Sequence, residues 1–213
     1  FCKINSKACP LVAKTKIKDP FFHTLGKNID VRTDIPLYNV YKRGKLYKTV
    51  PNIKSFWKDN LIAFAIGCSF TFEQSLLNHG LTIDHINNNK VVPMYRTNIK
   101  NRKSGIFESY MVVSMRIFSK EEVEKVKNIS KDFSFAHGEP IHIGNPDDIG
   151  IFDLNRPDWG DPPRLKNLKE DYFFWACGVT PQNAILDAKI PFCITHTPGH
   201  MLITDIDEKS LQN

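Results

Sequence analysis

Two stretches of the chain, more than a hundred residues apart, carry the same arrangement of reactive groups. They are "FAIGCSFTFEQSLL" at Phe64–Leu77 and "FWACGVTPQNAIL" at Phe174–Leu186. Cys68 matches Cys177, Thr71 matches Thr180, Glu73 matches Gln182, and Leu76–Leu77 matches Ile185–Leu186. Each reads as a buried strand turning into a helix. A helix start leaves backbone N–H groups free for a carboxylate or phosphate, and Ser69, Thr71, Gly178 and Thr180 add hydroxyl donors or room for close approach. Glu73 can act as a base where Gln182 can only hydrogen-bond, unless both are capping-box residues. Cys68 and Cys177 are either core fillers or thiols activated by a helix N-terminus.

Histidines provide the other proton carriers. "HGEPIHIG" contains His137 and His142, and "THTPGHMLITD" contains His196, His200 and Asp205. Their spacings are compatible with metal ligation, but both pairs lie in Gly/Pro loops and no Cys pair is spaced for zinc. No tightly bound metal is expected. Proton transfer near neutral pH is the better use of these rings. Arg116 closes the apolar run "MVVSMR", where it could hold a carboxylate with two N–H groups or make an ordinary salt bridge. Asp153, Asp158 and Asp161, in and before "NRPDWGDPP", read as turn formers.

The elements that must position these groups can be placed from punctuation and periodicity. "LYNVYKRGKLYKTV" reads as a hairpin. Leu61–Ile66, Val91–Ile99, Tyr110–Arg116, Ile149–Leu154, Tyr172–Ala176, Phe192–Thr195 and Met201–Thr204 read as strands. Thr71 is expected to cap a helix over Phe72–His79, and Thr180-Pro181 a second one. Ser119 with Glu121 and Glu122 opens a third, ending near Ile129. The corners sit near opposite ends of the chain, which implies an α/β fold. Its main αβα-type unit, with a mixed sheet, comprises residues 1–85 and 166–213, and a smaller α+β unit, 86–165, is inserted. Both corners should then lie at one edge of one sheet, where open α/β sheets bind ligands.

Composition narrows the function classes. The chain has 213 residues, 41% hydrophobic and 24% charged, an ordinary globular composition. Its longest apolar runs, such as Leu61–Ile66, are far too short to cross a bilayer. Five cysteines without a CxxC pattern argue against a disulfide framework and for a reducing, cytoplasmic setting. The net charge of +6 arises in residues 1–60, which hold 13 Lys/Arg against 4 Asp/Glu. These basic residues are scattered singly without stacking motifs, so a surface attractive to anionic metabolites is expected rather than a nucleic-acid or membrane partner. The first residue is Phe1 rather than Met, and an upstream segment is expected.

Taken together, "ACP", "RTDIPLYNVY", "GCSFTFE", "VPMYRTN", "VVSMR", "HGEPIHIGNP", "WACGVTPQ" and "THTPGHMLITD", in that order over roughly residues 1–205, resemble the hydro-lyase family to which D-glutamate cyclase is related. The family pattern would place Pro at Ile117 and Asp at Asn145. The resemblance implies a lyase that eliminates water, acting on a small carboxylate or amino acid such as D-glutamate, which would close to 5-oxo-D-proline; that cyclisation has no redox step, and no cofactor is expected. A homodimer is compatible with it. The expected casting has Glu73 or a loop histidine as base and His142 or His196 as acid. Arg116 would be the carboxylate anchor, with Ser69, Thr71, His137, Gly178, Thr180, Gln182 and His200 around the substrate. Two rivals are a non-catalytic binder of small carboxylates and an enzyme using the thiol of Cys68 or Cys177.

Overall fold

The computed structural model describes residues 1–207. Its strands form three sheets. In the first, β1 (Leu11–Lys14) pairs with β4 (Phe64–Ile66). In the second, β2 (Tyr38–Lys42) lies between β3 (Lys45–Val50) and β9 (Phe192–His196). The third comprises β5 (Met94–Lys100), β6 (Tyr110–Ser119), β7 (His142–Ile143) and β8 (Glu170–Ala176), in the order β5-β6-β8-β7. Helices α1 (Glu73–Asn78), α2 (Asp84–Asn87), α3 (Val123–Lys131) and α4 (Thr180–Asp187) complete the α/β fold.

Every pairing between these strands is antiparallel, where a mixed sheet was expected. The reason is visible between β6 and β8. The long connection through α3 returns to the end of β6 that it left, so Ser119 pairs with Glu170. The expectation that both corners leave one sheet is also corrected, because β4 belongs to the two-stranded sheet and β8 to the four-stranded one. That larger sheet takes β5, β6 and β7 from residues 86–165 and β8 from outside that segment.

The "KRGK" hairpin forms as its sequence dictates. Arg43 and Gly44 have φ of 52° and 73°, the paired left-handed residues of a type I′ turn. Ser119 makes a full capping box with Glu122 at the start of the turn leading into α3. The other two expected caps are corrected. Thr71 lies inside a 3-10 turn, Ser69–Phe72, that begins after Cys68, and α4 begins after Val179, which makes Thr180 its first residue. Ile149–Leu154 and Met201–Thr204 form no strands. Ile149 is instead buried at the end of a 3-10 turn, Pro146–Ile149, Ile151 and Leu154 are buried from the loop that follows, and the Leu154 carbonyl accepts from Tyr95 Oη at 2.8 Å.

Strand β6 is buried along Val112–Phe118 because both faces of its sheet are covered, as a near-continuous apolar run requires. Val113, Met115 and Ile117 face one cluster with Tyr172 and Phe174. Phe118 packs on the opposite face with Phe72, Phe173 and Trp175. By the two-residue period of a strand, Ser114 and Arg116 share this second face. They are the polar exceptions in an apolar strand and mark where the site is built.

The first corner is held by Gly67. A Cβ there would lie 1.5 Å from the Phe135 carbonyl oxygen, so one of the two backbones must move. Gly67→Ala is expected to cost about 3 kcal/mol, the upper part of the overpacking range. Gly178 has no left-handed φ, and its Cβ would meet its nearest atom only at 3.4 Å. Gly178→Ala should therefore cost much less. Equal denaturation midpoints for the two variants would contradict this packing.

Candidate functional site

A cavity of about 580 Å³ opens between the two-stranded sheet, both corners and β9. Its walls are mostly apolar, with polar groups from Cys68, Ser69, Thr71, Ser114, Gln182, Thr195 and His196. The corners thus meet although their strands belong to different sheets. Gly178 packs close to the Gly67 carbonyl, and the Cys68 and Cys177 thiols are near enough to interact electrostatically.

Arg116 stands behind the cavity wall. It is 3% exposed, and its guanidinium lies 5.2 Å from the ring centres of both Phe72 and Trp175. A charge so buried must be paired and hydrogen-bonded. Arg116 Nε donates to Glu73 Oε1 at 2.8 Å, and Nη2 donates to the same oxygen. Nη1 donates to Ser114 Oγ at 3.0 Å and Nη2 to Ser69 Oγ at 3.1 Å. The two hydroxyls lie 3.2 Å apart. Each hydroxyl oxygen accepts from the guanidinium, and one hydroxyl hydrogen links the serines. One hydrogen is then left to donate to a ligand, with a positive charge behind it.

The expected anchoring role of Arg116 is thereby corrected. The guanidinium is already paired with Glu73 and reaches the cavity only through Ser69 and Ser114. Glu73 does not line the cavity. Burial pushes its carboxyl up, but Arg116 and His85 pull it further down, so the net shift is downward. His85 Nε2 is 3.2 Å from Glu73 Oε1, without the alignment of a hydrogen bond. A buried, ion-paired carboxylate of lowered pKa is a poor base, and its part here is to hold Arg116.

Gln182 and His196 form a second polar group on the cavity lining. Gln182 Nε2 lies 3.3 Å from His196 Nε2, and Gln182 Oε1 accepts from Thr195 Oγ1 at 3.3 Å. His196 Nδ1 lies 2.9 Å from the Thr197 carbonyl. That carbonyl can only accept, which assigns the ring proton to Nδ1 and leaves Nε2 as an acceptor. Burial lowers the His196 pKa below its ordinary 6.5, so the ring is neutral at pH 7 with its lone pair beside the cavity.

The remaining candidates lie elsewhere. His142 pairs with Phe174 across β7 and β8, which puts it on the sheet face opposite Arg116, with Nε2 taken by the Asn145 carbonyl at 2.8 Å. The Thr180 hydroxyl accepts from Val112 N at 3.0 Å and fastens α4 to β6. His200 Nδ1 lies 3.2 Å from the Pro198 carbonyl, outside the cavity lining. Asp205 accepts from Lys27 N. Among the described residues no group of three or more His, Cys, Asp or Glu side chains is placed to hold a metal ion. The thiols of Cys68 and Cys177 are pushed up to about 11 and about 12 by burial, which outweighs the helix-start N–H groups of Phe70 and Val179. Both are neutral at pH 7, which counts against the rival reading of thiolate chemistry. Ser114 was missed, although its place two residues before Arg116 puts both on one strand face.

His137 is fully buried with Nδ1 3.0 Å from the Lys7 carbonyl and Nε2 without a hydrogen-bond partner. Burial pushes its pKa down to about 4, only partly opposed by the carbonyls of Lys7 and Gly67. Like His196, it binds protons more weakly folded than unfolded. Its contribution to stability is therefore complete above about pH 6.5 and is lost as pH falls toward 4. The loss from His137 should reach about 3 kcal/mol. Denaturant midpoints that stay flat over this range would contradict the placement.

The profile of the family described as D-glutamate cyclase matches residues 62–205. A protein of Dinoroseobacter shibae is 49% identical over 208 residues, 98% of this chain and 69% of its own length. Proteins of Burkholderia cenocepacia and Burkholderia lata are 47% and 46% identical over 211 residues, each match covering 99% of this chain and 82% of the relative. All three carry the name "Putative hydro-lyase". The chain belongs to the D-glutamate cyclase family. No helix among its described residues is long and apolar enough to cross a membrane.

Proposed function

We propose that the protein is a lyase that eliminates water from a small carboxylate, with the cyclisation of D-glutamate to 5-oxo-D-proline as the specific reaction. The carrying observation is the Arg116 fork holding Ser69 and Ser114 on the cavity wall. The free hydroxyl hydrogen, charge-assisted from behind, is a donor suited to a carboxylate oxygen and to the negative charge that grows on it in the transition state. His196 Nε2, which accepts from Gln182 at rest, is suited to take the ammonium proton once the substrate displaces that bond.

Cyclisation balances on these groups alone. The substrate ammonium loses a proton to His196 Nε2, and its nitrogen attacks the γ-carboxyl carbon while that group's oxygen is held at the serines. The proton on His196 and a second one from nitrogen leave with one carboxyl oxygen as water. The family and the names of its relatives support this reading. The apolar walls and the cavity volume exceed the needs of a five-carbon diacid, so carboxylates with apolar substituents belong among the candidates. The test is incubation with D- and L-glutamate and related amino and hydroxy diacids, followed by mass spectrometry. A product lighter by one water is expected. Tight carboxylate binding without any such product would favour a non-catalytic binder.

A further inference from the structure

We propose that Cys2 and Cys9 form a thiol–disulfide pair opening onto the cavity, with Cys2 as the attacking thiol and Cys9 as the resolving one. The five cysteines show no redox spacing in the sequence, and the fold creates the pair. Residues Cys2–Asn5 form a 3-10 turn, closed by Asn5 N donating to the Phe1 carbonyl at 3.1 Å. Cys9 N then donates to the Asn5 carbonyl at 2.8 Å, which folds Cys9 back toward Cys2. The Asn5 side chain pins the turn by donating to the Arg102 carbonyl at 2.9 Å and accepting from Arg102 N at 2.8 Å. Both cysteines pack in one cluster with Ala8 and Ala176.

Their surroundings divide the two roles. Cys9 is completely buried. Cys2 is half-buried and lines the cavity together with Cys68 and Ser69. Cys2 packs against the cluster that contains Cys9, and the neighbouring Cys9 thiol is the main cause holding the Cys2 pKa down at about 7, while Cys9 is pushed up. Cys193, like Cys68 and Cys177, is pushed up by burial, to about 11. Cys2 is therefore the thiol best suited to react near neutral pH with a low-molecular-weight disulfide such as oxidised glutathione.

The exchange has two steps. The Cys2 thiolate attacks one glutathione sulfur, the glutathione disulfide breaks, and one reduced glutathione leaves. Cys9 then loses its proton and attacks the Cys2 sulfur, expelling the second reduced glutathione. Two protein thiols are oxidised to one disulfide and one glutathione disulfide is reduced to two thiols. Before the second step the bound tripeptide would project from Cys2 into the cavity.

The test is treatment of the reduced, folded protein with oxidised glutathione, acid quenching and peptide mapping. A Cys2–Cys9 cross-link is expected in the unaltered protein, with Cys2 reacting at least about tenfold faster than Cys68, Cys177 or Cys193. Cys9→Ala should accumulate the glutathione adduct on Cys2, and Cys2→Ser should leave Cys9 unmodified. The proposal is overturned if the folded, unaltered protein shows no Cys2–Cys9 cross-link, or if Cys2 reacts no faster than the other thiols. Neither reading depends on activity, so this outcome is separable from the lyase assignment.

Discussion

Glu73→Gln is expected to cost about 3–5 kcal/mol of stability, the penalty for leaving a buried charge without its partner. Gln can still accept one hydrogen bond from Arg116, but it cannot neutralise a guanidinium enclosed by Phe72 and Trp175. The cost should also depend on pH. Glu73 has its pKa lowered from the ordinary 4.5 in the folded protein. Its ion pair therefore contributes fully above that value and is lost as pH falls through the folded pKa. Protonated Glu73 resembles Gln, so the difference between the two proteins should shrink in acid. Chemical denaturation at neutral and acid pH measures this. A difference of less than about 1 kcal/mol at neutral pH, the worth of an exposed pair, would show that Arg116 does not rely on Glu73.

The largest effect on turnover is expected at His196. His196→Asn keeps a polar side chain at the end of β9 but removes the titratable nitrogen. Turnover should fall by about 10²–10⁴, the usual worth of a general base, with KM changed much less because the serine wall still binds the carboxylate. His142→Asn should leave turnover within about twofold of the unaltered protein, since His142 lies on the far face of the sheet from Arg116. The opposite ranking would return the proton transfer to the "HGEPIH" loop.

Local rules made much of the fold legible in the sequence. The Arg43-Gly44 turn, the Ser119 capping box, the buried run of β6 and the corner helices follow from propensity, capping and period. The assignment of β4 and β8 to different sheets did not, because a strand's partner is set by contacts between residues far apart in the chain. The candidate site divides the same way. Ser69, Gln182 and His196 could be selected by type and neighbourhood. The burial of Arg116 and its pairing with Glu73 depend on packing between α1 and β6, and no spacing encodes that. His142 and His196 look alike in sequence, and only the pairing of β7 with β8 separates them. Thr180 carries its hydroxyl at the expected corner, but the close approach of β6 uses it for the backbone of Val112.

The substrate should lie against the wall of Ser69 and Ser114, backed by Arg116, in the cavity that His196 also lines. A crystal structure of His196→Asn bound to the compound that the unaltered protein dehydrates tests it most directly, because the slowed variant keeps the substrate intact. The expected result is a substrate carboxylate within hydrogen-bond distance of Ser69 or Ser114 Oγ, with the substrate nitrogen directed at residue 196. A substrate bound outside this cavity, or inside it with its carboxylate away from both serines, would contradict the account.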